Sequence, residues 1–456
     1  MSRLLGFVVV LLGAVVAVLA GQTGPGWVGA HRPAAQRLIA ESQSSDLAWR
    51  RLAEVTDTFG PRLSGSEALE RAIDWAVAEM KKDGLDNVRK EPVMVPKWVR
   101  GRESLELIEP IRQPLPMIGL GNSVGTPASG VEGDVVVVAN LDEMKARAAE
   151  VKGRIVLFNA VFTSYGATVV HRAAGPAQAA RLGAIAALVR SVGPTGLRTT
   201  HTGSTIYEDG VPKIPAAAIS AEDANRFARL QARGVRVRVK LSMEARFEPD
   251  AQSYNVVAEL RGRELPDQIV LLGGHFDSWD PGTGATDDAG GCVVTWEALR
   301  LMKKLGLRPR RTVRVVLWVN EENGGRGGQA YLEAHRDELG QHALMLESDG
   351  GVFTPMGFGF TGGDAARETI TQIATLLTGI DAHRITPGGG GADIDPSVQE
   401  GNIPAMSPVV GGDYFRIHHT PADTVDKIEP MDVARNAAAI AVMTYVVADL
   451  PKRLGS

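Results

Sequence analysis

The chain has 456 residues, 44% of them hydrophobic and 22% charged, with a formal charge of −4 at neutral pH. Such length and apolar content exclude a disordered chain and suit two or more domains, each with its own core. Positive charges form no stripe, which argues against nucleic acid as a partner. The single cysteine, Cys292, excludes an intrachain disulfide and leaves any metal to nitrogen and oxygen donors.

The first segment, MSRLLGFVVVLLGAVVAVLAGQTG, carries one arginine, an apolar run from Leu4 to Ala20 and small residues at the end of that run. This pattern predicts a signal peptide over residues 1–20 and a secreted or periplasmic protein. An uncleaved anchor is the alternative, because roughly 17 apolar residues approach the span of a bilayer. No other stretch reads as a membrane span, so no membrane contact is expected beyond the leader. From Leu38 to Val93 the chain reads as helical: SSDLAWRRLAEVTDTFG and SEALERAIDWAVAEMKKDG repeat apolar residues at three-to-four spacing, and Gly84 follows a lysine pair.

Residues 98–246 change character. Short strands (GDVVVVAN, GRIVLFNA and AIAALVRS), a helix in GPAQAARLGA and loops rich in glycine, threonine and proline predict a smaller inserted α/β domain. No G-x-G-x-x-G follows a strand there, which disfavours a nucleotide-binding unit. After YNVVAELRG, strands alternate with helices. That alternation predicts an α/β fold, with a mixed, mainly parallel sheet and helices on both faces, built from residues 21–97 and 247–456. The expected strands are QIVLLGG, TVRVVLWVN, ALMLES and IPAMSPVV; helices are expected over 291–305, 327–336, 365–377 and 431–448.

Chemistry gathers where those strands end. GGHFDSWDPGTGATDDAG, residues 273–290, holds His275 and the aspartates Asp277, Asp280, Asp287 and Asp288, with no lysine or arginine to offset them. Such charge is costly to bring together unless a cation sits among it. VRVVLWVN leads to Glu321 and Glu322, ALMLES to Asp349, and YFRIHHTPADTVDK adds His418 and His419 before the last helix. Singly, these are ordinary turn, cap and surface residues. Together they place acid and imidazole groups beyond the carboxyl ends of α/β strands, where such sheets put their sites.

In HFDSWDPGTGATDDAGG, VLWVNEENGGRGG, LESDGG and YFRIHHTPADTVDK the chain resembles the M28 family of zinc peptidases, and within it the secreted glutamate carboxypeptidase branch. The resemblance spans nearly the whole chain after the leader. It implies a zinc exopeptidase fold with a protease-associated domain inserted over residues 98–246. It also implies two zinc ions per chain, held by His275, Asp287, Glu322, Asp349 and His419, with Asp287 bridging the ions and Glu321 as general base. One ion would take His275 and Asp349, the other Glu322 and His419. If the backbone is extended there, Glu321 and Glu322 point to opposite sides, so one ligates while its neighbour lies over a water held between the ions. Asp277, two residues after His275, is expected to accept the other N–H of that imidazole, and is placed with Glu321 among the catalytic residues. A cis peptide bond between Asp287 and Asp288 is implied as well, with Asp288 hydrogen-bonding nearby backbone.

The activity so implied is hydrolysis of dipeptides or short peptides by a secreted di-zinc exopeptidase, the inserted domain limiting access to small substrates. A glutaminyl-cyclase-like single-zinc aminoacyltransferase and a non-catalytic binding protein are the alternatives on the same fold; retention of five ligand positions and a base speaks against both. Preference for an amino or a carboxyl terminus depends on pocket walls, to which the second subunit of a homodimer can contribute, and stays open. His418 is left between substrate binding, oxyanion stabilisation and packing. TPGGGGADIDP reads as a flexible rim, and Ile394 stands in it where other members of the family often have histidine, which leaves a substrate role for that loop unsupported.

Overall fold

A computed structural model describes residues 26–454, and the expected signal peptide lies outside them. The strands Arg311–Trp318 and His342–Glu347 are buried along their whole length, as is the second half of Leu265–His275. Burial on both faces is why these strands read as continuous apolar runs and not as alternation. They form the middle of an eight-stranded sheet. Its order is Asp86–Val99, Arg246–Leu260, Arg311–Trp318, Leu265–His275, His342–Glu347, Ala405–Val410, Pro355–Thr361 and Arg384–Pro387. The four central strands run parallel, and antiparallel pairings join the strands on either side.

Although the runs are apolar throughout, successive side chains still divide between two cores. Val270, Leu272, Leu344 and Leu346 pack under the helices Gly26–Gln43, Leu47–Phe59, Glu67–Lys82, Gly290–Lys304, Asp364–Ala374 and Pro430–Asp449. Ile269, Leu271 and Met345 face Arg326–His335 and Asp395–Gly401. The fold is therefore the mixed α/β sheet expected, covered on both faces.

Two expectations are corrected. Residues 86–93 belong to the strand Asp86–Val99, because NVRKEPVMVPKWV can bury alternate residues such as Val93 and Val95 against Arg246–Leu260. A second apolar stretch is also long enough to cross a membrane: Pro430–Asp449 has the length and hydropathy, but 83% of its apolar window is buried inside the fold, where it is a core helix.

A second eight-stranded sheet is built from residues 103–243, with a parallel centre of Val131–Val138, Ile155–Phe158, Ala186–Arg190 and Ala216–Ile219. The antiparallel ribbon of Asp86–Val99 and Arg246–Leu260 leads into and out of it. The two lobes are locked together beside the acidic loop. Trp279 leaves that loop and joins the apolar core of the second sheet, edge-on to Trp98 at 6.2 Å between centroids. Gly121 permits the approach, since a Cβ there would lie 1.8 Å from the Trp279 ring. Next to it, the Arg100 guanidinium grips both oxygens of Asp280 at 2.8 and 2.6 Å.

Candidate metal centre

The acidic loop is held from beneath by a residue far away in sequence. Arg62, in GPRLSGS, is fully buried and donates to the carbonyls of Gly60, Phe276, Thr283 and Gly284 at 2.7–3.1 Å. Its planar fork can satisfy several carbonyls at once, which a lysine cannot. Arg62→Met is expected to lower the unfolding free energy of the full chain by about 3 kcal/mol or more, because carbonyls that now share a charged donor lose it in a dry site. Urea unfolding measures this; a change below about 1 kcal/mol would show that the loop holds itself.

Three of the four aspartates in the loop are occupied with structure. Asp280 pairs with Arg100. Asp288 accepts from the backbone N–H groups of His275 and Gly291, at 3.1 and 3.0 Å. Asp277 accepts from the N–H groups of Glu321 and Glu322, at 3.1 and 3.4 Å, and from the Ser64 hydroxyl. Asp287 alone faces the cluster, after a turn in which the Asp287–Asp288 peptide bond is cis, as the resemblance implies. The Asp423 carboxylate fixes this turn by accepting from the N–H groups of Thr286 and Asp287, at 2.7 and 3.1 Å. Burial pushes Asp423 up to about 6, with the charge of Asp287 adding to the rise.

The Asp287 carboxylate presents one oxygen to each of two groups. Oδ1 lies 3.1 Å from His275 Nε2, which is itself 3.5 Å from Asp349 Oδ1. Oδ2 lies 3.2 Å from His419 Nε2, which stands 3.0 Å from Glu322 Oε2. His418 Nε2 is 3.4 Å from the same Oδ2 and its ring stacks on His419 at 3.5 Å. Glu321 Oε2 stands back, 4.0 Å from His275 Nε2. The Glu321 side chain is 22% exposed and that of Glu322 only 3%, so Glu321 is the one a substrate can reach.

The donor set fits divalent metal. Asp287 Oδ2 and Asp349 Oδ1 are buried without a hydrogen-bond partner although imidazole nitrogens stand close by, an arrangement suited to oxygens that ligate a cation. Electrostatics agree. Burial raises Glu321 well above the usual carboxylate range, against the charge of His275 and reinforced by Asp349 and Glu322. Burial and the charge of Asp287 push Glu322 up to about 7. Burial would raise Asp287 too, but the imidazoles of His275 and His419 beside it hold it well below the usual range. Nitrogen and oxygen donors without thiolate suit zinc or other borderline metals.

The structure corrects the role expected of Asp277. His275 Nδ1 meets the backbone carbonyl of Asp277 at 3.0 Å, while the nearest carboxylate oxygen of Asp277 is 3.9 Å away. That carboxylate is already taken by the Glu321 and Glu322 backbone, so Asp277 positions the glutamate pair and leaves His275 to a carbonyl. The pair itself is not in an extended strand: Arg311–Trp318 ends first, Asn320 has φ +66°, and the glutamates diverge because the chain turns. The glycine loop is no free rim. Thr361 Oγ1 bonds both the N–H and the carbonyl of Gly389, and Ile394 is buried in the core with Tyr331 and Met345. Arg62, Asp423, Ser64 and Arg100 were invisible as site residues in the sequence. GPRLSGS between two helices and the aspartate in TPADT carried signals only in retrospect, because their partners lie more than 130 residues away.

Buried carboxylates and imidazoles converging at the carboxyl edge of a mixed α/β sheet, with a reachable glutamate standing back from them, define a metal-dependent hydrolase. Residues 255–444 match the model of peptidase family M28, and residues 131–227 that of the PA domain. Carboxypeptidase Q from Bos taurus is 44% identical over 418 residues, covering 91% of this chain and 88% of the relative. A peptidase M28 precursor from Shewanella amazonensis SB2B superimposes with a TM-score of 0.90 at 36% identity, over 94% of this chain and 99% of that one. A zinc aminopeptidase from Bacillus subtilis shares the fold at 18% identity and a TM-score of 0.66, over 89% and 95% of the two chains. The chain belongs to peptidase family M28, with a PA domain inserted in it.

Proposed function

We propose that the chain is a secreted di-zinc exopeptidase acting on dipeptides or short peptides. The observation that carries the reading is the Asp287 carboxylate, whose two oxygens face the His275–Asp349 pair and the Glu322–His419 pair separately. His275, Asp349 and Asp287 would hold one ion, and Glu322, His419 and Asp287 the other. Zinc is the metal named for the Bacillus subtilis aminopeptidase of the same fold. Bound at such a site, zinc supplies Lewis acidity that polarises a scissile carbonyl and acidifies water.

The protein's own groups do the rest. Glu321, held by its backbone N–H on Asp277, takes a proton from the attacking water and passes it to the departing amine. Trp279 and the second lobe close one side of the centre, which limits it to small substrates. Export rests on the leader sequence.

Two measurements test this. Metal analysis of purified enzyme is expected to find two zinc ions per chain; full activity with one would end the two-ion reading. A panel of free dipeptides, amino- or carboxyl-blocked dipeptides and an unfolded polypeptide is expected to show turnover confined to the short members. Comparable cleavage of the long polypeptide would remove the steric role given to the second lobe, and the blocked pair reports which terminus the enzyme requires.

A further inference from the structure

The two halves of the metal centre are supported differently. His275 Nδ1 meets the carbonyl of Asp277 in its own loop, which leaves Nε2 free to face Asp287. His419 has no such partner nearby in sequence. Its Nδ1 lies 3.3 Å from the carbonyl of Thr202, and the N–H of Thr202 donates to the carbonyl of His419 at 2.9 Å. On either side, His201 Nδ1 donates to the carbonyl of His418 at 2.9 Å, and the Ser204 hydroxyl donates to the carbonyl of Glu322 at 2.7 Å. His201, Thr202 and Ser204, all in the inserted lobe, thus hold Glu322, His418 and His419. His419 needs such support, since its φ of +60° is a conformation that side-chain-bearing residues disfavour.

Behind the Thr202 carbonyl lies Arg172, 6% exposed. Its Nη1 donates to Thr202 O at 3.2 Å and sits 3.4 Å from His419 Nδ1, and its Nη2 donates to the Tyr165 hydroxyl at 2.8 Å. Gly203, at φ +123°, makes room: a Cβ there would lie 2.2 Å from the guanidinium. A carbonyl has two lone pairs, so Thr202 O can accept from Arg172 and from His419 Nδ1–H together. A proton on Nδ1 is the tautomer that leaves Nε2 able to ligate.

Resting on the two-ion reading above, the geometry points to Arg172 as a positioning residue for metal: through Thr202 O it holds His419 in the orientation and tautomer that present Nε2 beside Glu322. The Glu322–His419 subsite is completed across two lobes, and the His275–Asp349 subsite is not. Loss of an outer partner of a ligating histidine typically weakens metal affinity by about 10- to 100-fold, and here that loss falls on one ion.

Zinc titration of the metal-stripped full chain, by calorimetry with a competing chelator, tests the inference. The wild-type chain is expected to take two ions. Arg172→Met is expected to keep one at wild-type affinity and to bind the other about 10- to 100-fold more weakly, with Arg172→Lys between the two. Glu322→Gln identifies the subsite concerned, since it should weaken the same ion. Cobalt loaded in place of zinc gives an absorption signature of the second subsite that Arg172→Met should shift. Two unchanged affinities in folded Arg172→Met, or equal weakening of both ions, overturns the proposal while leaving the two-ion reading intact. A single ion in the wild-type chain overturns that reading, and the proposal falls with it. Should circular dichroism show Arg172→Met unfolded, Tyr165→Phe, which removes only the hydroxyl that receives Nη2, is titrated instead; unchanged affinities there overturn the proposal.

Discussion

Glu321→Gln is expected to fold, to bind metal as the wild-type chain does, and to lose turnover by about 10²- to 10⁴-fold, the usual contribution of a general acid–base group. The amide preserves size and can keep the backbone bond to Asp277, but it cannot accept a proton from water. Glu321 stands 4.0 Å from the nearest imidazole of the cluster and is partly open to solvent, so its loss spares the donors that face a cation. Steady-state kinetics paired with metal analysis separates the two effects. If Glu321→Gln lost metal and kept the chemistry of its remaining holoenzyme, the roles assigned to Glu321 and Glu322 would have to be exchanged.

On the two-ion reading proposed above, Asp287→Ala is expected to be more damaging still, because one carboxylate would serve both halves of the centre. His275 loses the oxygen that faces it at 3.1 Å, and His419 the one at 3.2 Å. Both zinc affinities should fall together, and activity should drop below that of Glu321→Gln even with zinc in excess. The fold should persist, since Arg62 and Asp423 hold the surrounding turn through backbone atoms of that loop. Metal analysis, circular dichroism and kinetics on one preparation decide the matter. Retention of one ion at wild-type affinity would mean that Asp287 belongs to a single subsite and bridges nothing.

Much of this molecule was legible in the order of its residues. Continuous apolar runs such as IVLLGG and VRVVLW can be buried only between two helical layers, so they announced parallel central strands. Where those runs stop, His275, Glu321, Glu322 and Asp349 follow directly, and a strand's direction carries them to one edge. Periodicity also gave Glu67–Lys82 and Gly290–Lys304 to within a residue or two. These features are local: each depends on spacing within a dozen residues.

What the tertiary structure alone decided concerns partners. Nothing near Asp280 in sequence says that Arg100 neutralises it, nor near Asp277 that its carboxylate holds two amide groups more than 40 residues on. The four aspartates read as one pool of charge, yet only Asp287 faces the donors of the centre, because the others found arginine or backbone N–H groups first. His275 likewise took a carbonyl where a carboxylate was expected. The second lobe read as a separate unit, and Trp279, Thr202 and Arg172 bind it into the centre. The physical reason is common to all of these. Side-chain patterns along a chain record which face is buried, whereas a hydrogen bond or ion pair records which of many compatible donors and acceptors met in space, and that is settled only when the sheets are packed.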